Sequence, residues 1–201
     1  MKRKGMIRHK KFFYGGNKMI FEEKTLSTET VYNGNLIDFV VDTIELPNGE
    51  TATRELVKHP GAVAIMAFTD DNKMIFVKQY RKAVEQVLLE IPAGKIDLTD
   101  ENPLETGKRE LEEETGYQAE SFEMETSFYT SPGFANELIY VYSAKGLKKV
   151  ENPLAQDEDE FIELVYLTFD EAWEAYEKHL IYDAKTVYAL IAWKLKLATT
   201  K

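Results

Sequence analysis

The stretch Asn102-Pro103-Leu104-Glu105-Thr106-Gly107-Lys108-Arg109-Glu110-Leu111-Glu112-Glu113-Glu114-Thr115-Gly116 reads as a helix with both of its ends written in. Asn102 suits the N-cap, Pro103 the first helical position and Gly116 the left-handed stop. Leu104, Gly107 and Leu111 recur at spacings of three and four, so that face packs inward. Gly107 in mid-helix costs roughly 1 kcal/mol against alanine, tolerable where another backbone must come close. Glu110 and Glu114 share a different face, with Glu113 adjacent. Carboxylates held on one rigid helix repel one another unless cations sit among them, and hard oxygen ligands suit Mg²⁺, with Mn²⁺ a substitute. Arg109 stands four residues before Glu113 and four after Glu105, placed to orient and partly neutralise a carboxylate.

Outward from this helix, periodicity divides the chain into strands and two more helices. Alternation runs through 36–46 and 51–57 across the turn Pro47-Asn48-Gly49, a hairpin signal. A second hairpin is expected from 61–69 and 73–79 across Asp70-Asp71-Asn72, with shorter strands at 87–91, 137–142 and 161–167. Helices are expected at 103–115, 169–179 and 184–198, the second opened by a Thr168/Glu171 capping box. Strands mixed with few helices and no regular βαβ alternation place the chain in the α/β class, an α+β mixed sheet packed between helices. No internal repeat or low-complexity linker divides the 201 residues.

Composition narrows the function. Charged residues make up 30% and hydrophobic residues 44%, the balance of a globular protein. The absence of cysteine removes disulfides, thiolate metal sites and cysteine nucleophiles, and agrees with a cytoplasmic location. Seven of the 25 basic residues lie in 1–18, which hold no acid; the remainder carries 18 basic against 35 acidic side chains, a net of −17. Such a domain repels nucleic acid and attracts divalent cations. The basic start has no apolar signal core and is read as a flexible extension, and no apolar run reaches the ~20 residues of a membrane span.

Taken alone, Glu112-Glu113-Glu114 reads as a solvated helix face. Its surroundings change that. Gly94, Glu101 and Arg109-Glu110-Leu111-Glu112-Glu113-Glu114-Thr115-Gly116-Tyr117 resemble the Nudix box, whose pattern is Gly, five residues, Glu, seven residues, then Arg-Glu-apolar-any-Glu-Glu-any-Gly-apolar. Every fixed position from Glu101 onward matches; six residues rather than five separate Gly94 from Glu101, which leaves the roles of 97–101 open. From about Met19 onward the resemblance points to the ADP-ribose pyrophosphatase branch, through 53–64, Gln79-Tyr80-Arg81, Glu90-Ile91-Pro92-Ala93-Gly94 and Tyr129-Thr130-Ser131-Pro132-Gly133-Phe134. Pro132, sixteen residues past Gly116, is a marker associated with ADP-ribose specificity in that family.

The resemblance implies a Nudix-type α/β/α sandwich carrying an N-terminal antiparallel β region: 1–18 the extension, 19–59 the β region used for dimerisation, 60–201 the hydrolase domain. It implies metals held by Glu110, Glu114, Glu113, Glu160 and the carbonyl of Ala93, and substrate contacts from Arg54, Arg81, Glu137, Pro132 and Gly133. Glu158 matches the loop carboxylate taken as general base, with Glu113 and Arg109 completing the catalytic group; the run Asp157-Glu158-Asp159-Glu160 leaves that register open by one or two positions. Phe21 or Tyr32 stacking on adenine competes with a core role for each. The implied activity is Mg²⁺-dependent hydrolysis of ADP-ribose to AMP and ribose 5-phosphate by a homodimer. The alternatives are another nucleoside diphosphate sugar, a dinucleoside polyphosphate or a nucleotide cofactor as substrate. A non-catalytic ADP-ribose-binding regulator would normally add a DNA-binding helical domain, whereas the tail after Asp183 reads as one amphipathic helix.

Overall fold

The structure, a computed structural model, describes residues 21–97, 102–156 and 160–199. In chain order the elements are β1 (Lys24–Asn33), β2 (Asp38–Glu45), β3 (Thr51–Lys58), β4 (Ala62–Ala67), β5 (Met74–Arg81), β6 (Gln86–Glu90), β7 (Ala93–Lys95), α1 (Pro103–Thr115), β8 (Tyr117–Tyr129), β9 (Leu138–Lys149), β10 (Ile162–Leu167), α2 (Phe169–Glu177) and α3 (Ala184–Thr199). Three sheets form, ordered β1-β2-β3, β10-β5-β6 and β7-β4-β9-β8; β4 and β9 run parallel and the other pairs antiparallel.

Strand β4 shows why the molecule has two cores. All six of its residues are buried. Successive side chains point to opposite faces, so Ala62, Ala64 and Met66 join one core with Ala172, Ala189, Leu190 and Trp193 of α2 and α3. Ile65 and Ala67 join the other, with Leu111 of α1. Strand β5 divides the same way, Met74 and Phe76 to the first core and Ile75 to the second. Helices therefore cover both faces of the sheets, the layered arrangement expected.

The turn at 47–49 forms as expected, with Gly49 at φ 87° and its N–H donating to the carbonyl of Leu46 at 2.9 Å. The second expected hairpin does not. Its turn closes, with Asn72 N donating to Thr69 O at 3.1 Å, but β4 and β5 part into different sheets beyond one bridge at Phe68–Met74. A strand apolar on both faces is stabilised more by two helical layers than by pairing with its neighbour in sequence. Strands β1, β7 and β8 have no counterpart in the sequence reading. β1 is exposed along its whole length and β8 is rich in acids, so neither carries a clear alternation of buried and exposed residues.

The end of β3 ties the N-terminal sheet to the rest. Val57 N donates to Phe134 O at 2.8 Å, Asn136 N to Val57 O at 3.2 Å, and His59 N to Asn136 Oδ1 at 2.7 Å. Phe21 and Tyr32 are exposed, which excludes the core role weighed for each within this chain.

Candidate active site

Helix α1 is capped as its sequence dictates. Asn102 Oδ1 accepts from Leu104 N at 2.9 Å and Glu105 N at 3.3 Å, and Gly116 takes the left-handed conformation at φ 72°. Anchored at both ends, the helix presents Glu110 and Glu114 at i and i+4 on a face that packs against β7. Both carboxylates are buried, at 8% and 2% exposure. Ala93 N donates to Glu114 Oε2 at 3.0 Å. At Gly94 a Cβ would stand 1.9 Å from the carboxyl carbon of Glu110, so any side chain there would push that carboxylate out of its place. Gly107 differs: a Cβ there would meet only Tyr142 and Phe122, at 3.8 and 3.9 Å. No backbone approach explains that glycine, against the sequence expectation.

Burial sets the charge state of this floor. It pushes the Glu110 carboxyl up to about 7, with Arg109 pulling down and Glu113 and Glu160 pushing further up. It pushes Glu114 up to about 8, helped by Glu160 and Glu110 and opposed by the Ala93 N–H and Arg81. Glu160 therefore lies within electrostatic reach of both. Arg109 Nη1 contacts Glu113 Oε2 at 2.7 Å and Glu110 Oε1 at 2.8 Å, while Nη2 reaches Asp97 Oδ2 at 3.3 Å and the Lys95 carbonyl at 3.4 Å. The expected Arg109–Glu113 pairing is present, and it extends to two further acids.

The donor set suits a hard divalent cation: buried carboxylates that raise one another's pKa, beside the backbone of Ala93 and Gly94. Among the described residues, no three acidic or histidine side chains already meet at one point. Glu110 and Glu113 lean on Arg109, and Glu114 on the Ala93 N–H.

Arg81 approaches from the end of β5. Its Nε and Nη2 donate to Glu90 Oε1 and Oε2 at 2.8 and 2.9 Å, and its side chain stays 39% exposed. Burial alone would raise the Glu90 carboxyl, but Arg81 and Lys185 outweigh it and hold it below its usual range. Glu137 accepts from Thr130 Oγ1 at 2.5 Å and faces His59 Nε2 at 3.8 Å. Burial keeps His59 below its usual pKa, and its Nδ1 accepts from Gly61 N at 3.0 Å. Pro132 and Gly133 form the exposed turn before Glu137. Arg54 stands apart on β3, paired with Glu23 and donating to the Thr53 carbonyl at 3.0 Å. Glu158 lies outside the described residues, as do Glu101, Asp157 and Asp159.

Sequence reading thus anticipated α1, Ala93, Arg81 and Glu160 as one neighbourhood. It quoted Glu90 within a motif but assigned it no role, and it missed Lys185 and Asp183. A lysine in the first turn of α3, two residues after Asp183 and ahead of an apolar run, was the available signal.

Residues 58–190 match the NUDIX domain, and residues 23–57 match the nucleoside diphosphate sugar hydrolase N-terminal domain. The chain belongs to the Nudix family. It is 49% identical over 177 residues to the ADP-ribose pyrophosphatase of Bacillus subtilis, covering 88% of this chain and 95% of that protein. It is 53% identical over 171 residues to the methanol dehydrogenase activator of Bacillus methanolicus, covering 85% and 92%. A crystal structure of an ADP compounds hydrolase superposes with a TM-score of 0.78 at 23% identity, over 92% of this chain and 98% of that one, and shows the same fold. This Nudix chain is a pyrophosphohydrolase, from a family of metal-dependent enzymes. No described helix of this Nudix protein is long and apolar enough to cross a membrane.

Proposed function

We propose that the chain hydrolyses ADP-ribose to AMP and ribose 5-phosphate, with Mg²⁺ as its metal. The observation that carries this reading is the buried pair Glu110 and Glu114 against Ala93 and Gly94, with the Arg81 guanidinium in electrostatic reach of Glu114. The 49% identity to an ADP-ribose pyrophosphatase supports the substrate. Glu110, Glu113, Glu114, Glu160 and the Ala93 carbonyl would hold the metal. When bound, the cation offsets the charge on both phosphoryl groups and acidifies the attacking water.

The chain's own residues do the rest. Arg81 binds the pyrophosphate and orients it, as a guanidinium fork suits phosphate oxygens. Glu158 takes the proton from water, which attacks one phosphorus in line while the bridging oxygen leaves with the other phosphoryl group. Arg109 steadies Glu110 and Glu113. Glu137, with the Pro132-Gly133 turn, contacts the sugar phosphate half. Arg54 pairs with Glu23 inside the N-terminal β region and bonds none of the box carboxylates, which supports a contact made across a homodimer built on residues 19–59. The hydrolase domain spans 60–201, the extension read at 1–18 lies outside the described residues, and the enzyme is cytoplasmic.

The match of residues 23–57 to the nucleoside diphosphate sugar hydrolase N-terminal domain favours a second reading, in which another nucleoside diphosphate sugar is the substrate. The test is incubation with Mg²⁺ and a panel containing ADP-ribose, other nucleoside diphosphate sugars, dinucleoside polyphosphates and a nicotinamide dinucleotide, with products separated by chromatography. AMP and ribose 5-phosphate formed fastest from ADP-ribose is the expected result. Preferential cleavage of another compound retires ADP-ribose.

A further inference from the structure

Four charges run inward from the site in one chain: Arg81, Glu90, Lys185 and Asp183. Glu90 is buried at 1% exposure and Lys185 at 9%. Arg81 Nε occupies Glu90 Oε1, while Oε2 is shared between Arg81 Nη2 and the ammonium of Lys185. Lys185 Nζ also donates to Asp183 Oδ1 at 2.9 Å, and Asp183 Oδ2 is buried with no hydrogen-bond partner among the described residues. The start of α3 is bolted to the strand that carries Glu90. Ile91 N donates to Thr186 Oγ1 at 2.9 Å, and Thr186 N to Asp183 Oδ1 at 3.4 Å.

We propose that Lys185 and Asp183 are a positioning pair for Arg81, acting through Glu90 to set how much of the guanidinium is offered to a pyrophosphate. The proposal rests on the reading that Arg81 contacts the substrate. Two cations on one carboxylate each hold it less tightly than one would alone. With Lys185 present, Glu90 fixes the direction of Arg81 without consuming its charge. Nothing else among the described residues bonds that guanidinium, whose remaining edge is free to meet a phosphate oxygen. Asp183 brings the set of four to neutrality. Without Lys185, the three remaining charges sum to −1 and Arg81 collapses onto Glu90. Without the charge of Asp183, Lys185 shifts toward Glu90 and releases Arg81, and the set becomes cationic. The two changes should therefore move substrate affinity in opposite directions, which a cluster that merely anchors α3 would not do.

Steady-state kinetics of the full chain, on whichever panel compound is cleaved best, test this. Lys185→Met should raise KM on the order of tenfold, within the range of indirect coupling between sites, with kcat changed much less. Lys185→Arg should recover most of that loss. Asp183→Asn keeps an N-cap acceptor and should lower KM. In an Arg81→Ala background neither substitution should shift KM further, since both act through that side chain. If Lys185→Met does not fold, the sign of the Asp183→Asn shift and its disappearance without Arg81 decide the matter. A rise in KM for both variants, or shifts that persist undiminished in the Arg81→Ala background, overturns the positioning role and leaves Arg81 as a substrate contact. If Arg81→Ala itself leaves KM and kcat unchanged, the reading of Arg81 falls and the proposal falls with it.

Discussion

Helix α1 and the N-terminal sheet β1–β3 are both rich in charge, and they handle it in opposite ways. On α1, Glu110 and Glu114 are buried, one against Arg109 and the other against the Ala93 N–H, where desolvation pushes both carboxyls up. On β1 every residue is exposed, and among the described residues this outermost strand pairs only with β2. One buried acid there, Asp42, accepts from Thr28 Oγ1 at 2.7 Å and Thr25 Oγ1 at 3.4 Å. Charge buried on a rigid helix stores an electrostatic demand that a cation can meet. The exposed strand β1 stores none. The proposed reading gives the first region the chemistry and the second the subunit contact.

Breaking the first half of that contrast should have the largest effect. Glu114→Gln should lower turnover about a thousandfold, the order seen when electrostatic stabilisation of a transition state is lost. Gly94→Ala should be comparably damaging, because its methyl group would displace Glu110. Near-wild-type turnover of Glu114→Gln at saturating Mg²⁺ would remove it from the metal set.

The acidic run before β10 sharpens the division of labour. Glu158→Gln should cut kcat about a hundredfold whatever the Mg²⁺ concentration, as expected for lost general-base help. The Glu160→Gln defect should ease as Mg²⁺ rises, because Glu160 bears on Glu110 and Glu114. A silent Glu158→Gln beside a Glu160→Gln that stays dead at every Mg²⁺ concentration would make Glu160 the base.

The stored demand on α1 should also be readable in stability. Both carboxyls sit above their unfolded value of 4.5, so their contribution is complete below that value and is lost progressively as pH rises from there through about 7 and about 8. In chelator the melting temperature should fall by on the order of 5 °C across that window, and Mg²⁺ should reverse the fall. A flat profile in chelator, or one that Mg²⁺ leaves unaltered, would mean the floor carries no such demand.

The contact half is tested by charging β1. Val31 and Tyr32 are exposed neighbours at a register shift in the β1–β2 pairing. Val31→Asp with Tyr32→Asp should yield a monomer by sedimentation while moving the melting temperature by only about 2 °C. An unchanged dimer would place the subunit contact elsewhere. The smallest effect is expected at Gly107, where a methyl group finds room: Gly107→Ala should stabilise by about 0.4–1 kcal/mol in denaturant unfolding.

How much of this was legible follows from the range of the forces involved. The caps of α1, the Glu171 capping box and the i, i+4 pairing of Arg109 with Glu113 are contacts within a few residues, and each could be read directly. β8 was not readable, because it pairs with the distant β9 and carries three acids, of which Glu120 and Glu123 are exposed while Glu125 pairs with Lys196. The second hairpin misled for the opposite reason: its turn residues are local, but β4 takes β9 as a partner and β5 takes β10, both far along the chain, with β6 on the other edge of β5.

By itself, the sequence determined the chemistry on offer: which carboxylates share a helix face, where that helix starts and stops, and which family pattern they complete. Capping and helical periodicity act over three or four residues, so no folding is needed to see them. Only the tertiary structure decided which charges are desolvated. It brought Gly94 against Glu110, Ala93 against Glu114 and Lys185 against Glu90, the last pair 95 residues apart. Burial depends on what the rest of the chain stacks over a residue, and no local pattern encodes that.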